Sequence, residues 1–202
     1  MADAFHSARL TYRAIEENEE DTSFIHSLRL DSALRANSET MIFKPVNKAS
    51  SAKAAAHYRD KNLISVLICL QVTSAKEGAE VSIPATKPIG LINLHPGFEQ
   101  GREQHRNADI GVKIAADYQR KGYGGEAIKW ILGWAFKYGG LHRVGISCAS
   151  HNPGARRLYE SLGFEYEGAK RESFWYDGAW RDELILSMLE NEWRKIVQEE
   201  KS

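Results

Sequence analysis

Apolar positions recur with two periods along this chain, and the two meet between Asp109 and Gly140. Ile110, Val112 and Ile114 alternate with Asp109, Gly111 and Lys113, which predicts a strand. Ala127, Ile128, Ile131, Leu132, Ala135 and Tyr138 share one helical face, which predicts a helix from Ala127. Gly139-Gly140 supplies a stop past its C-terminus. The linking segment carries Arg120 and Lys121, then Gly122, Gly124 and Gly125.

The same periods partition the rest of the chain. Ala8–Ile15 reads as a first strand, followed by a helical region through about Ala36 that opens on the acidic Glu16–Asp21 patch. Ser38–Lys44 has no clear period, and Pro45 breaks the pattern. Ser50–Asp60 is rich in strong helix formers. Leu63–Val72 is almost continuously apolar over strand length, so it is expected to be covered on both faces. Ile89–His95 and His142–Ala149 read as further strands, the latter with Val144, Ile146 and Cys148 on one face. Asn152 is placed to cap a helix, with Pro153 in its first position and Gly163 at its end. Phe164–Gly168 and Glu172–Tyr176 read as extended, Asp177-Gly178 as a hairpin turn, and Trp180–Leu189 as the last strand. Ser74–Lys87 and Pro96–Arg106 are polar loops, and Glu190–Ser202 is a charged tail with helical character around Trp193. Strands first, then strand–helix–strand–helix–strand–strand, indicate an α/β or α+β sheet with helices on it.

A glycine-rich turn that opens a helix has a specific chemistry. Without Cβ atoms the backbone can approach a ligand, and the first N–H groups of the helix have no partner. With the helix dipole they suit a phosphate. The P-loop requires Gly-Lys-Ser/Thr, whereas Lys121 precedes Gly122 and Tyr123 follows it. The dinucleotide fingerprint lacks its acidic-ended second strand. The pattern that fits is Gln/Arg-x-x-Gly-x-Gly/Ala, through Gln119, Gly122 and Gly124. A surface turn that merely joins strand to helix is the other reading of these residues.

Composition narrows the classes. Lys and Arg number 27, as do Asp and Glu, so no global field favours nucleic acid or an anionic membrane. Cys69 and Cys148 sit in apolar runs and read as small buried hydrophobes. No apolar run reaches transmembrane length. The expectation is a soluble, cytoplasmic protein with no metal.

The glycine loop resembles the coenzyme A pyrophosphate loop of the GNAT superfamily of N-acetyltransferases. NPGARRLYESLGFEYEG is similar to that family's Asn-x-x-(Ser/Ala)-x-x-x-Tyr-x-x-x-Gly-Phe, through Asn152, Ala155, Tyr159, Gly163 and Phe164. DGAWRDELILSMLENEW, and GYGGEA with ADIG before it, resemble the branch that includes ribosomal-protein N-terminal acetyltransferases. The motifs cover Asp109 to Trp193. The resemblance implies one N-acetyltransferase domain over 1–202 and a mixed, mostly antiparallel twisted sheet flanked by helices. It also implies that the central strands Asp109–Ile114 and His142–Ala149 splay apart.

Acetyl-CoA is then the expected cosubstrate. The resemblance implies that pantetheine pairs with the backbone of Val112, Lys113 and Ile114, where an N–H can polarise the thioester carbonyl. Pyrophosphate is expected on Gln119, Arg120, Lys121, Gly122, Tyr123, Gly124 and Gly125. Asn152 would touch the cofactor, although capping already explains it. Gly111, Gly145 and Ser147 are small and would leave room where cofactor and acceptor meet, or would serve close packing. Tyr159 matches the tyrosine that protonates the departing thiolate; its other reading is a buried aromatic on a helix stripe. Some relatives carry serine at the Ala155 position and glutamate at the Ser147 position, so those routes are closed here. Asp109 and His95 are the two candidate bases, with a structural carboxylate and a solvated histidine as alternatives.

The partners implied are acetyl-CoA and a primary amine, on a small molecule or a protein α-amine, transferred directly in a ternary complex by a monomer or homodimer. A non-catalytic CoA-binding module, or an acyltransferase acting on protein lysine or with longer chains, is the competing class.

Overall fold

The computed structural model describes residues 4–38, 42–71, 86–96 and 103–200. Its strands are β1 (Leu10–Ala14), β2 (Ile64–Gln71), β3 (Thr86–Pro96), β4 (Asn107–Ile114), β5 (Arg143–Ala149), β6 (Glu165–Tyr176) and β7 (Ala179–Leu189). They form one sheet in the order β1-β2-β3-β4-β5-β7-β6. Neighbours are antiparallel except β4 and β5, which run parallel. The expected mixed, mostly antiparallel sheet is what the chain forms.

Helices α1 (Glu19–Leu30), α2 (Ser32–Ser38) and α3 (Lys48–Lys61) cover one face, and α4 (Tyr123–Lys137), α5 (Pro153–Ser161) and α6 (Glu190–Glu199) the other. β2 explains the arrangement from its own sequence. Val66 and Ile68 enter the core under α4, while Leu67 and Cys69 enter the core under α1 and α3. A strand between two layers has no polar face, hence the unbroken apolar run.

Helix ends follow local chemistry. Asn18, Asn47 and Asn152 accept hydrogen bonds from Asp21 N, Ser50 N and Ala155 N at 2.8, 2.8 and 3.2 Å. Between β1 and α1, Asp21 is fully buried and receives both Arg13 guanidinium nitrogens at 2.6 and 2.7 Å, as well as Glu16 N at 2.8 Å.

Three expectations change. Helix α4 begins at Tyr123 rather than Ala127, because Gly122 adopts φ +83° and starts the turn earlier. Tyr138 is the C-cap, past the last helical residue, and is exposed. The two extended pieces after Phe164 are one strand, β6, interrupted by irregularities at Tyr166/Gly168 and Lys170/Phe174. The charged tail forms the helix expected around Trp193, whose ring is buried 5.5 Å from that of Phe136. The loops expected at Ser74–Lys87 and Pro96–Arg106 fall mostly outside the described residues; Thr86, Lys87 and Pro96 belong to β3, and Glu103–His105 makes one turn.

Candidate active site

The site starts from an interrupted strand pairing. β4 and β5 pair only at Asn107–Arg143, Ala108–Val144 and Asp109–Gly145, although both continue beyond. From Ile110 to Ile114 the edge of β4 that faces β5 therefore has no strand partner. Five residues of strand amount to roughly 16 Å of exposed backbone donors and acceptors. The expected splay is present, and its vertex is at Asp109.

At the open end of this cleft β4 runs into the glycine loop. Gln119 donates its side-chain N–H to Ile114 O at 2.8 Å, so it braces the loop against the strand. Arg120 and Gly122 both have left-handed backbones, φ +58° and +83°. A non-glycine residue there stores strain of about 1 to 2 kcal/mol, which the surroundings must hold in place. No side chain caps α4, and its first intrahelical bond is Glu126 N to Gly122 O at 3.1 Å. The N–H groups of Tyr123, Gly124 and Gly125 are thus outside the helical ladder. A Cβ on Gly124 would reach only ordinary contact with Ile114, at 3.8 Å, whereas one on Gly125 would press Leu158 at 3.3 Å. Donors, dipole and lack of side chains fit a pyrophosphate. The Lys121 ammonium rests on Asp117 O at 2.7 Å and lies 5.5 Å from the Tyr118 ring.

A clamp that sequence reasoning misses holds this loop. Arg9 donates through Nε to Glu126 Oε2 at 2.7 Å and through Nη1 to Lys121 O at 3.0 Å, with its guanidinium 4.7 Å above the Tyr123 ring. Arg9 N and Ser7 Oγ both reach Glu126 Oε1 at 2.7 Å. Partial burial pushes the Glu126 carboxyl up, but these bonds outweigh it and hold it below the usual carboxylate range. Its one local signal is Glu126, the lone acid of helix α4, in its first turn; the partners lie more than a hundred residues away and no local pattern reveals them.

At the vertex Asp109 and His95 are cross-strand partners, as are Gly111 and Asn93. The two candidate bases therefore meet on the face covered by α1, α2 and α3. The glycines serve as seats rather than empty space. A Cβ on Gly145 would collide with the Asp109 carboxylate, and one on Gly111 would come within 2.7 Å of the buried Asn93 amide oxygen. Ser147 is the one of the three small residues that is exposed. Below Gly145, Arg143 pairs with Glu167 at 2.6 Å, and Ser187 Oγ donates to Glu167 at 2.7 Å.

Tyr159 lies in the opposite layer, in α5, which Asn152 caps. It is 7% exposed, and its ring centroid lies 6.2 Å from that of Phe164. Burial, then the neighbouring Cys148 thiol, pushes the phenol well above its ordinary value. A phenol in that state stays protonated through the neutral range and acts as a donor. Val112, Lys113, Ile114 and the loop line one side of the cleft, with Tyr159 on one sheet face and Asp109 and His95 on the other.

Compared with known proteins, the chain matches the acetyltransferase (GNAT) domain family over residues 9–165. The spermidine N(1)-acetyltransferase of Vibrio cholerae is 33% identical over 89 residues, 44% of this chain and 51% of that protein. The ribosomal protein uS5-alanine N-acetyltransferase of Escherichia coli is 29% identical over 84 residues, 42% of this chain and 43% of that protein. The chain spans about half the length of the curated relatives it matches. In three dimensions, the spermidine N-acetyltransferase of Vibrio cholerae, solved with CoA and spermine, shares the fold with a TM-score of 0.71 at 24% identity, over 93% of this chain and 99% of that one. With the splayed strands and the glycine loop in place, the family match across residues 9–165 leads to one assignment: this chain belongs to the GNAT acetyltransferase family.

Proposed function

We propose that the protein is an acetyl-CoA-dependent N-acetyltransferase that transfers the acetyl group directly to a primary amine. One observation carries the reading: the uncapped, glycine-built N-terminus of α4 sits at the end of the unpaired β4 edge. The two features are suited to a pyrophosphate and to a pantetheine chain, in the order in which CoA presents them. Family membership and the CoA-bound fold relative support this.

Acetyl-CoA supplies an activated thioester. In the proposed roles, the N–H groups of Tyr123, Gly124 and Gly125 bind the pyrophosphate with charge from Arg120 and Lys121, and Gln119 fixes the loop. The backbone of Val112, Lys113 and Ile114 orients the pantetheine chain, and Asn152 borders it. Holding the two reactants in register supplies much of the acceleration. The amine nitrogen bonds to the carbonyl carbon, the C–S bond breaks, and the nitrogen loses a proton. Asp109 or His95 takes that proton through water. Tyr159 donates to the departing sulfur; its raised pKa makes it a steady hydrogen-bond donor rather than a strong acid. Both cysteines are buried, which supports transfer without an acyl-enzyme.

Calorimetric titration of acetyl-CoA and CoA into wild type and Gly124→Glu tests the reading. A Cβ is tolerated at Gly124, so the carboxylate opposes phosphate without disturbing the fold. Binding to wild type and none to the variant is expected, followed by CoA release with an amine. Folded wild type that ignores both ligands at millimolar concentration removes the proposal.

A further inference from the structure

We infer that Arg143 is a positioning residue for the transfer: anchored by Glu167, it draws the Asp109 carboxylate away from His95 and over Gly145, where β4 and β5 part. The inference rests on the acetyl-transfer reading above, and it chooses Asp109 over His95 as the group that takes the proton of the amine.

The strand registers put the parts in one row. His95 on β3 stands opposite Asp109 on β4, Asp109 lies beside Gly145 on β5, and Gly145 stands opposite Ser187 on β7. Side chains alternate along a strand, so Arg143, two residues before Gly145, shares its face. Within this row the Asp109 carboxylate turns from β3 toward β5. A Cβ on Gly145 would collide with Asp109 Oδ1 and would lie 3.2 Å from Arg143 Nη1. Carboxylate and guanidinium therefore lean into the same gap, and the residue between them has no side chain to fill it.

Arg143 is held from the other side of the row. Its Nε and Nη2 donate to Glu167 at 3.4 and 2.6 Å. Ser187, 4% exposed, donates its Oγ to the same carboxylate at 2.7 Å. Two of the three guanidinium nitrogens are thereby fixed, and Nη1 is the one that faces Gly145.

This division of partners suits a base. A two-pronged arginine pair engages both oxygens of a carboxylate and competes there with an incoming proton. Glu167 takes that role, so Asp109 is attracted by the third nitrogen and its oxygens stay open to water. The gap is well inside the Debye length of about 8 Å at physiological ionic strength, so salt does not erase the attraction. A water on Asp109 accepts the ammonium proton and passes its own to the carboxylate. The freed nitrogen lone pair then attacks the thioester carbonyl carbon.

The first test needs no acceptor. In the isotope-labelled full chain, the guanidinium NMR resonances of Arg143 should move in Asp109→Asn. They should stay in place in Asp117→Asn, which alters an exposed carboxylate near the loop. Unmoved Arg143 resonances in Asp109→Asn overturn the inference. The second test reads CoA release at neutral pH with ethylamine, an ammonium ion there, and with trifluoroethylamine, which is mostly free base. Arg143→Met removes the attraction, and Gly145→Ala fills the seat of the carboxylate. Expected is a fall in kcat/KM of about tenfold or more for ethylamine and less than about threefold for the fluorinated amine, which needs no base. Arg143→Lys keeps the charge and should recover part of the loss, and the calorimetric Kd for CoA should not change in any of the three. Equal losses with the two amines, or no loss in Arg143→Met, make Arg143 a brace between β5 and β6 and overturn the inference. A wild type that binds CoA and acetylates neither amine removes the role together with the transfer reading, while the NMR result still reports whether the two side chains interact.

Discussion

The two sides of the cleft are built on opposite principles. On the cofactor side, the glycine loop is held by Gln119, by the left-handed turn at Gly122 and by the Arg9–Glu126 clamp, so its polar groups are committed before any ligand arrives. On the far side, the β6–β7 hairpin and Phe43, beyond the end of α2, present exposed aromatics, and His151 Nδ1 is buried without a hydrogen-bond partner among the described residues. A fixed ligand allows backbone recognition, which is insensitive to side-chain identity. A variable ligand is read by side chains that cost little to change. On the proposed acetyl-transfer reading, affinity for the cofactor and choice of acceptor are separable, and single substitutions test that separation.

The largest effect belongs to stability. Asp21→Ala strands the Arg13 guanidinium and Glu16 N–H in a buried pocket. Removing one partner of such a pair costs about 3 kcal/mol, the lower end of the usual range because Arg13 is partly exposed. Urea unfolding should report the loss while CoA affinity of the folded fraction stays put; a large change in affinity would mean that the α1 layer and the loop are one cooperative unit. Next comes chemistry. Tyr159→Phe removes the donor and keeps the ring, so kcat should fall about a hundredfold with CoA affinity intact. An undiminished kcat reduces Tyr159 to a packing residue. Smaller again, Arg9→Ala releases Glu126, Lys121 O and the Tyr123 face together, and CoA binding should weaken about tenfold. An unchanged calorimetric Kd would leave the clamp as a purely structural brace. Acceptor KM at saturating CoA should not move, and if it does the two sides are coupled.

The same contrast decides what is legible in the sequence. Strand β4, helix α4 and the Asn152–Pro153 helix start are readable because period, cap and glycine are local signals. Asp109 and His95 can each be picked out singly, yet their facing each other depends on the β3–β4 register. The Arg9–Glu126 clamp joins positions 117 apart, and no spacing rule spans that. The groove between α2 and the β6–β7 hairpin is invisible for a different reason. Phe174, Tyr176 and Trp180 lie on the β6–β7 hairpin, where aromatic residues read as ordinary strand formers, and Phe43 lies after α2 in a segment without a period. Even the small residues Gly111 and Gly145 are ambiguous, because room for a ligand and a seat for Asn93 or Asp109 leave the same letter in the sequence.

Acidification gives the smallest effect near neutrality and the most general one below it. Asp21, Glu126 and Glu167 are each held below their ordinary values: by Arg13 and Glu16 N against burial, by Ser7 and Arg9 against burial, and by Arg143 and Ser187. A depressed carboxylate contributes stability that is fully present above its unfolded pKa and is lost as pH falls through the folded one. The unfolded values are near 4, so stability should be flat from about pH 8 to 5 and then decline. The three acids are distributed between the layers, Asp21 in the first turn of α1, Glu126 in the clamp and Glu167 below the vertex. In Glu126→Gln the clamp keeps its shape but no longer titrates. The acid-induced loss of CoA affinity should shrink in that variant, while the loss of global stability, dominated by buried Asp21, persists. If both acid losses persist undiminished, the clamp does not govern the loop's response to pH, and cofactor binding falls only because the fold does.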